Sequence, residues 1–347
     1  MMRKKWSRFV LLAGLLLFSI AGTVQAQQWA NPKLLVDADT VKANIDKPDW
    51  VVVDARELKD YAKGHIPGAI SLGDRGKNAL RDPTARVFND AGKYESLLGK
   101  VGIGNDTHVV FYYDGLKTIH DATIGFWVLE YLGHDKVYVL NGGLDAWRKG
   151  GNRLDTTPTI KPEKTFIAKV VPNRLATTAE IREIANGNSN GTQLIDSRSK
   201  NEHLGKDMRA LQGGHIRGAM NVDNIETMVK VNDPKTGKPK ASDYISPESV
   251  GAHFKDLDLA KRTVAYCQTG TRSTLTYLEL RLMGFQDPAN WDESWRVYGS
   301  DLHAANPIEA PNGVQFYNFD KVNKSLKELD KKVAALEEAV KKLTGGK

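Results

Sequence analysis

Short runs of apolar, often β-branched residues recur along this chain, each followed by a stretch in which apolar positions return every three to four residues. The runs at 50–54, 107–112 and 136–140 predict strands, and the segments 91–100 and 120–132 predict helices. The strand runs are apolar on both faces. Strands of that kind, alternating with helical periodicity, predict an α/β fold in which a parallel sheet is covered by helices on both sides.

The pattern then starts again. Val51-Val52-Val53-Asp54-Ala55-Arg56 and Gly64-His65-Ile66-Pro67-Gly68-Ala69 return as Gln193-Leu194-Ile195-Asp196-Ser197-Arg198 and Gly214-His215-Ile216-Arg217-Gly218-Ala219. Farther on, the run 109–115 answers 263–268, and Leu140-Asn141-Gly142-Gly143-Leu144-Asp145-Ala146-Trp147 answers Asn290-Trp291-Asp292-Glu293-Ser294-Trp295. Blocks in one order, a domain's length apart, imply duplication of a whole domain. The first copy is placed at 33–151 and the second at 174–307. Between them, 152–173 carries Pro158, Pro162 and Pro172 and reads as an extended linker.

The last segment, 318–344, follows a different rhythm. Val322, Leu326, Leu329, Val333, Leu336, Val340 and Leu343 recur at alternating steps of four and three, the a/d spacing of a coiled coil. Lys332 and Glu337 then fall at g and e, where they pair between parallel chains. Such a helix either joins copies into a homo-oligomer or packs on its own body, and the heptad spacing favours self-association.

The chain has 347 residues, room for two domains with their own cores, and its 41% apolar and 26% charged content excludes general disorder and a multispan membrane protein. The net charge of +7 is concentrated at the ends: Arg3, Lys4, Lys5 and Arg8 at one, a Lys-rich stretch at the other. The body between is near neutral, which argues against a nucleic-acid partner. The basic start, the apolar run 9–21 and the small-residue exit Val24-Gln25-Ala26 predict a signal peptide over 1–26, cleaved near Ala26, and export to the periplasm. The apolar run is shorter than the roughly 20 residues of a spanning helix. No cysteine stands at the exit, which excludes a lipoprotein, and no adjacent arginines mark a twin-arginine signal.

Cys267 is the only cysteine, so no internal disulfide is available. It opens the loop Cys267-Gln268-Thr269-Gly270-Thr271-Arg272 between the apolar run 263–266 and a helical pattern beginning near Ser273. A lone cysteine is commonly a small buried apolar side chain. A strand that turns through a glycine-containing loop into a helix instead aims N–H groups and the positive end of a helix dipole at one point, where a thiol ionises easily and an anion binds. Cys267 is therefore the candidate nucleophile. The N–H groups from Gln268 to Ser273 form the candidate anion cradle, and Arg272 adds a full charge. The hydroxyls of Thr269, Thr271 and Ser273 serve either substrate contact or ordinary helix capping. Neither a metal-ligand cluster nor a dinucleotide fingerprint is present, so no cofactor and no metal are expected.

These blocks resemble the rhodanese (sulfurtransferase) family, in particular its tandem-domain thiosulfate and 3-mercaptopyruvate sulfurtransferases. Tyr61-Ala62-Lys63-Gly64-His65-Ile66-Pro67-Gly68-Ala69 looks like the family's N-terminal signature, and Asp292-Glu293-Ser294-Trp295 like a drifted C-terminal one. The resemblance spans about 32–307. It implies one active domain and one degenerate domain, with Asp114 at the cysteine position of the first copy, leaving that copy silent and walling the cleft. It also implies a Cys267 persulfide formed from a small anionic donor and discharged to a thiophilic acceptor, cyanide or a thiol. Phosphatases and some arsenate reductases share the cysteine, cradle and arginine but place five residues between them; here four intervene, as in the sulfurtransferase loop. Cys-Gln-Thr-Gly-x-Arg resembles loops of bacterial thiosulfate enzymes, so thiosulfate is the favoured donor and 3-mercaptopyruvate the second choice. A persulfide carrier with little turnover is the alternative reading. Glu202 stands where tandem enzymes often have a substrate-binding arginine; Arg209 either supplies that charge or is a surface residue. His65 and His215, and the pairs Asp54–Arg56 and Asp196–Arg198, occur in both copies and read as fold-supporting.

Overall fold

The computed structural model describes residues 28–81, 90–301, 306–313, 315–316 and 319–343; the segment 1–26, read as an export signal, lies outside them. Among the described residues the first copy builds a five-stranded sheet in the order Leu35–Val36, Val137–Leu140, His108–Tyr112, Trp50–Asp54, Ile70–Ser71, and every neighbouring pair is parallel. The second copy builds a four-stranded parallel sheet in the order Pro288–Asn290, Thr263–Tyr266, Gln193–Asp196, Met220–Asn221. Strands and helices lie where the periodicity predicted them, Ala91–Lys100 and Ile119–Tyr131 included. The reason is the doubly apolar strand. Val51, Val52, Val53, Val109, Val110 and Phe111 are all buried, because helices cover both faces.

The register corrects one sequence expectation. Asp54 pairs with Tyr112 and Asp196 with Tyr266, and each tyrosine hydroxyl accepts from the N–H of the isoleucine in its Gly-His-Ile block, Ile66 at 3.2 Å and Ile216 at 3.3 Å. Tyr112 is thus the counterpart of Tyr266. Cys267 then corresponds to Tyr113, not to Asp114, which stands opposite Gln268. The next contact agrees: Leu144 N–H donates to the Tyr113 carbonyl as Trp295 N–H donates to that of Cys267. The adjacent tyrosines 112 and 113 make the sequence ambiguous by one residue, and a one-residue slip reverses every side chain's face.

The two copies dock through the helices Ile119–Tyr131 and Ser273–Met283, each of which follows its own strand-end loop. Almost every residue of both helices is buried. Thr123 and Thr274 hydroxyls meet at 2.7 Å, the Phe126 and Tyr277 rings lie 6.2 Å apart, and the Glu130 carboxylate accepts from Tyr277 Oη at 2.6 Å and from Arg281 at 2.9 Å. One apolar cluster runs through both copies, from Val51 to Leu280. The proline-bearing linker is no free tether. Its backbone donates to the first copy from Lys164 to Gly99, Lys169 to Leu132 and Val171 to Tyr131, and Phe166 is buried beneath it.

A hairpin of Met228–Asn232 and Pro239–Ile245, unmarked in the sequence reading, reaches from the second copy to the first. Asn141 exchanges two hydrogen bonds with Ile245, and the Tyr113 hydroxyl donates to the Asp243 carbonyl. Gly142, at φ +78°, lies under Tyr244; a Cβ there would stand 2.2 Å from the ring. The C-terminal helix Phe319–Leu343 holds its stripe away from the body, with Leu326, Leu329, Val333 and Leu336 between 46% and 66% exposed.

Candidate active site

Thr263–Tyr266 is an inner strand of its sheet, and Cys267 is the first residue past its carboxyl end, where open parallel sheets place ligands. The chain turns at Gly270, φ +69°, and enters the helix Ser273–Met283. Only glycine fits this turn: a Cβ would stand 2.4 Å from the Asp292 carbonyl oxygen. The drifted signature Asp292-Glu293-Ser294-Trp295 lies against the loop and fixes it. Ser294 adopts φ +53°, a strained conformation for a residue with a side chain. There its hydroxyl accepts the Cys267 N–H at 3.1 Å and donates to the Trp291 carbonyl at 2.6 Å. The N–H groups of Trp295 and Arg296 donate to the carbonyls of Cys267 and Gln268.

The Cys267 side chain is fully buried. Burial pushes a thiol up, but the Arg272 charge, the backbone N–H groups of Thr269 and Ser273 and the Ser273 hydroxyl together outweigh it and hold Cys267 below its ordinary value. Of the N–H groups read as a cradle from Gln268 to Ser273, those of Thr269 and Ser273 act on the sulfur.

The other predicted site residues divide. Gln268 donates its amide to the Arg209 carbonyl at 2.7 Å. The Thr269 and Thr271 hydroxyls face each other at 3.3 Å, and Ser273 Oγ donates to Asn290 Oδ1 at 2.6 Å. Helix capping by these hydroxyls is absent: the cap position is Arg272, without a side-chain bond. Arg209 supports the loop through its backbone, while its half-exposed side chain reaches Glu202 Oε1 at 3.4 Å. Arg272 itself is clasped by the buried Glu202, Nη1 to Oε2 and Nη2 to Oε1, both at 2.7 Å. Burial raises the Glu202 carboxyl, yet Arg272 and the Ser199 N–H more than reverse this and keep it ionised.

The first copy supplies two groups that sequence reasoning missed. Arg81 crosses the interface to donate to the Thr269 carbonyl at 2.7 Å and to Thr271 Oγ1 at 2.9 Å, and pairs with Asp292 at 3.1 Å; both partners of this ion pair are buried. Burial pushes Asp292 up to about 6 in spite of Arg81. His120 bonds Asn224 Oδ1 at 2.8 Å, and burial between the copies, with Arg272 adding to it, brings His120 down to about 4. Neither residue carries a local signal, because each acts across the interface, Arg81 on the cysteine loop and His120 on Asn224.

The repeated polar groups hold the fold in both copies. Arg56 clasps Asp54 and donates to the Gly64 carbonyl at 2.8 Å; Arg198 clasps Asp196 and donates to Gly214 at 2.7 Å. His65 is buried with Nδ1 2.9 Å from the Tyr61 carbonyl, and His215 Nδ1 is 2.9 Å from that of His203. In the first copy Asp114 is occupied by Arg148 at 3.2 Å and Arg56 at 3.5 Å, far from being a nucleophile.

Comparison with known proteins agrees with this architecture. The family described as "Rhodanese-like domain" matches residues 37–150 and 178–301. A putative thiosulfate sulfurtransferase 1 of Mycobacterium bovis is 34% identical over 288 residues, covering 80% of this chain and 97% of the relative. The thiosulfate sulfurtransferase of Corynebacterium glutamicum is 32% identical over 297 residues, covering 82% and 92%. Among solved structures, the 3-mercaptopyruvate sulfotransferase SseA of Escherichia coli superposes with a TM-score of 0.61 at 24% identity, covering 76% of this chain and 98% of that one. The anaerobic ergothioneine biosynthesis enzyme of Chlorobium limicola does so with 0.65 at 21%, covering 80% and 70%; both likenesses concern the fold. With two matched copies and relatives at this identity along most of their length, the chain belongs to the rhodanese family of sulfurtransferases.

Proposed function

We propose that this protein moves sulfane sulfur from thiosulfate to a thiophilic acceptor through a persulfide on Cys267. The observation that carries the reading is the buried Cys267 thiol, held below its ordinary value by Arg272 and by loop N–H groups at the end of an inner strand. In the first step the thiolate attacks the outer sulfur of thiosulfate. The donor S–S bond breaks, sulfite leaves with its electron pair, and the sulfur remains on Cys267 as a persulfide anion. In the second, cyanide or a thiolate attacks that terminal sulfur, the Cys267 S–S bond breaks, and the thiolate returns. Loop N–H groups and the helix N-terminus face negative charge in each state, without charge having to be created in the pocket.

The names of the mycobacterial and corynebacterial relatives support thiosulfate as donor. The first copy is a silent buttress: it has no thiol, and Tyr113 stands at the nucleophile's counterpart. The protein acts after export, following the signal read at 1–26.

Steady-state rates with thiosulfate, 3-mercaptopyruvate and an aryl phosphate on one preparation test the reading. Thiosulfate with stoichiometric sulfite release is expected to give the highest kcat/KM. Turnover confined to 3-mercaptopyruvate, or to the phosphate ester, contradicts it, and a single burst of sulfite without turnover marks a persulfide carrier instead.

A further inference from the structure

The helix Phe319–Leu343 carries an apolar stripe that, from Leu326 to Leu336, the described residues leave exposed. Leu326 and Val333 occupy a positions, Leu329 and Leu336 occupy d positions, and all four are about half exposed. A side chain in solvent contributes nothing to holding a 25-residue helix, and apolar stripes of this width are stabilised by burial against another surface. The sequence of the stripe selects the surface. Two of the three a positions, Val333 and Val340, are β-branched and three of the four d positions, Leu329, Leu336 and Leu343, are leucine, the combination that favours two parallel strands over three or four.

The flanking charges set direction. In a parallel pair, g of one heptad faces e of the following heptad on the partner, which brings Lys332 of each chain to Glu337 of the other. An antiparallel pair would set the e residues Asp330 and Glu337 against each other's row, carboxylate facing carboxylate. We infer that this helix joins two copies of the chain as a parallel two-stranded coiled coil.

The root of the helix fixes what the pairing does to the rest of the molecule. Just before it, Gln315–Phe316 pairs antiparallel with Gln212–Gly213, a strand of the second copy three residues past Arg209, whose carbonyl holds Gln268. A parallel coil therefore carries the two Cys267 domains side by side at one end.

Sedimentation or light scattering of the purified protein over a wide concentration range reads the assembly directly. Twice the chain mass, dissociating on dilution, is expected. Val333→Asp, on the exposed stripe and remote from the site, is expected to give the single-chain mass with unchanged thiosulfate turnover. Lys332→Glu and Glu337→Lys are each expected to raise the dimer Kd by roughly tenfold, and the double variant to restore it. A single-chain mass at every concentration, a trimer, a dimer indifferent to Val333→Asp, or charge reversals that add rather than cancel would each overturn the inference. Because turnover is measured beside mass, loss of dimer with retained activity leaves the sulfur-transfer reading standing.

Discussion

Both Nη atoms of Arg272 donate to the carboxylate of Glu202, each at 2.7 Å. Glu202 also closes a capping box with Ser199, so the clasp is anchored to the first turn of the short helix Lys200–His203. The single full charge of the cysteine loop is thus oriented and partly neutralised by its own domain. Glu202→Gln keeps the cap geometry and removes the charge. It is expected to lower KM for thiosulfate by about fivefold, on the order of 1 kcal/mol, and to move the acid limb of the rate profile to lower pH. Arg272→Ala is expected to do the reverse: without its charge the Cys267 thiol rises, and the acid limb of kcat/KM moves to higher pH. The paired profiles of kcat/KM against pH check both signs.

Arg81 joins the first copy to the cysteine loop. Arg81→Ala removes two hydrogen bonds from the loop and leaves Asp292 buried without its cation. Stability is expected to fall by roughly 3 kcal/mol and kcat by on the order of tenfold. Adding Asp292→Asn removes the buried carboxyl that must otherwise stay unpaired or take up a proton, so denaturant melts should recover most of the stability while kcat stays low. Full recovery of both would reduce Arg81 to a structural role.

The counterpart position in the first copy separates packing from catalysis. Tyr113→Phe deletes the hydroxyl that donates to Asp243 and is expected to cost about 1 kcal/mol of stability with kcat unchanged. Asp114→Ala frees the half-exposed Arg148, leaves the buried Arg56 clasped by Asp54, and is expected to leave turnover within a factor of two of wild type. A tenfold drop in kcat for either variant, about 1.4 kcal/mol, would bring the first copy into the reaction.

Much of this was legible in the chain because it is local. The strand Thr263–Tyr266, the turn through Gly270 and the helix from Ser273 follow from apolar runs, a glycine and periodicity, and they alone place Cys267. The Gly-His-Ile blocks revealed the duplication because each sets a histidine Nδ1 against a backbone carbonyl and anchors a tyrosine hydroxyl in both copies. What escaped the sequence depends on docking. Arg81 and His120 look like surface groups until the helices of the two copies pack, and the hairpin hid because its strands bury little of themselves against the second copy. The exchange of Tyr113 for Asp114 was a slip of one residue that only the pairing register could resolve.

Glu279 lies wholly buried on the docking helix, accepting from Thr227 Oγ1 at 2.6 Å, and burial pushes its carboxyl up to about 8. Its folded value lies above the unfolded one, so between the two the native state binds the extra proton and stability falls as pH rises. Glu279→Gln removes that dependence. Denaturant melts of wild type and variant are expected to diverge between pH 5 and pH 8 by about 3 kcal/mol, the variant being the more stable at the higher pH. Parallel stability curves would show that Glu279 ionises freely.

The central claim is that sulfur rests on Cys267. Intact-mass measurement after brief exposure to thiosulfate, on wild type and on Cys267→Ser, tests it without reference to any acceptor. One added sulfur atom on wild type, removed by cyanide, with none on the variant, is the expected result. Sulfur retained by Cys267→Ser, or a wild type that releases sulfite and gains no mass, would contradict it.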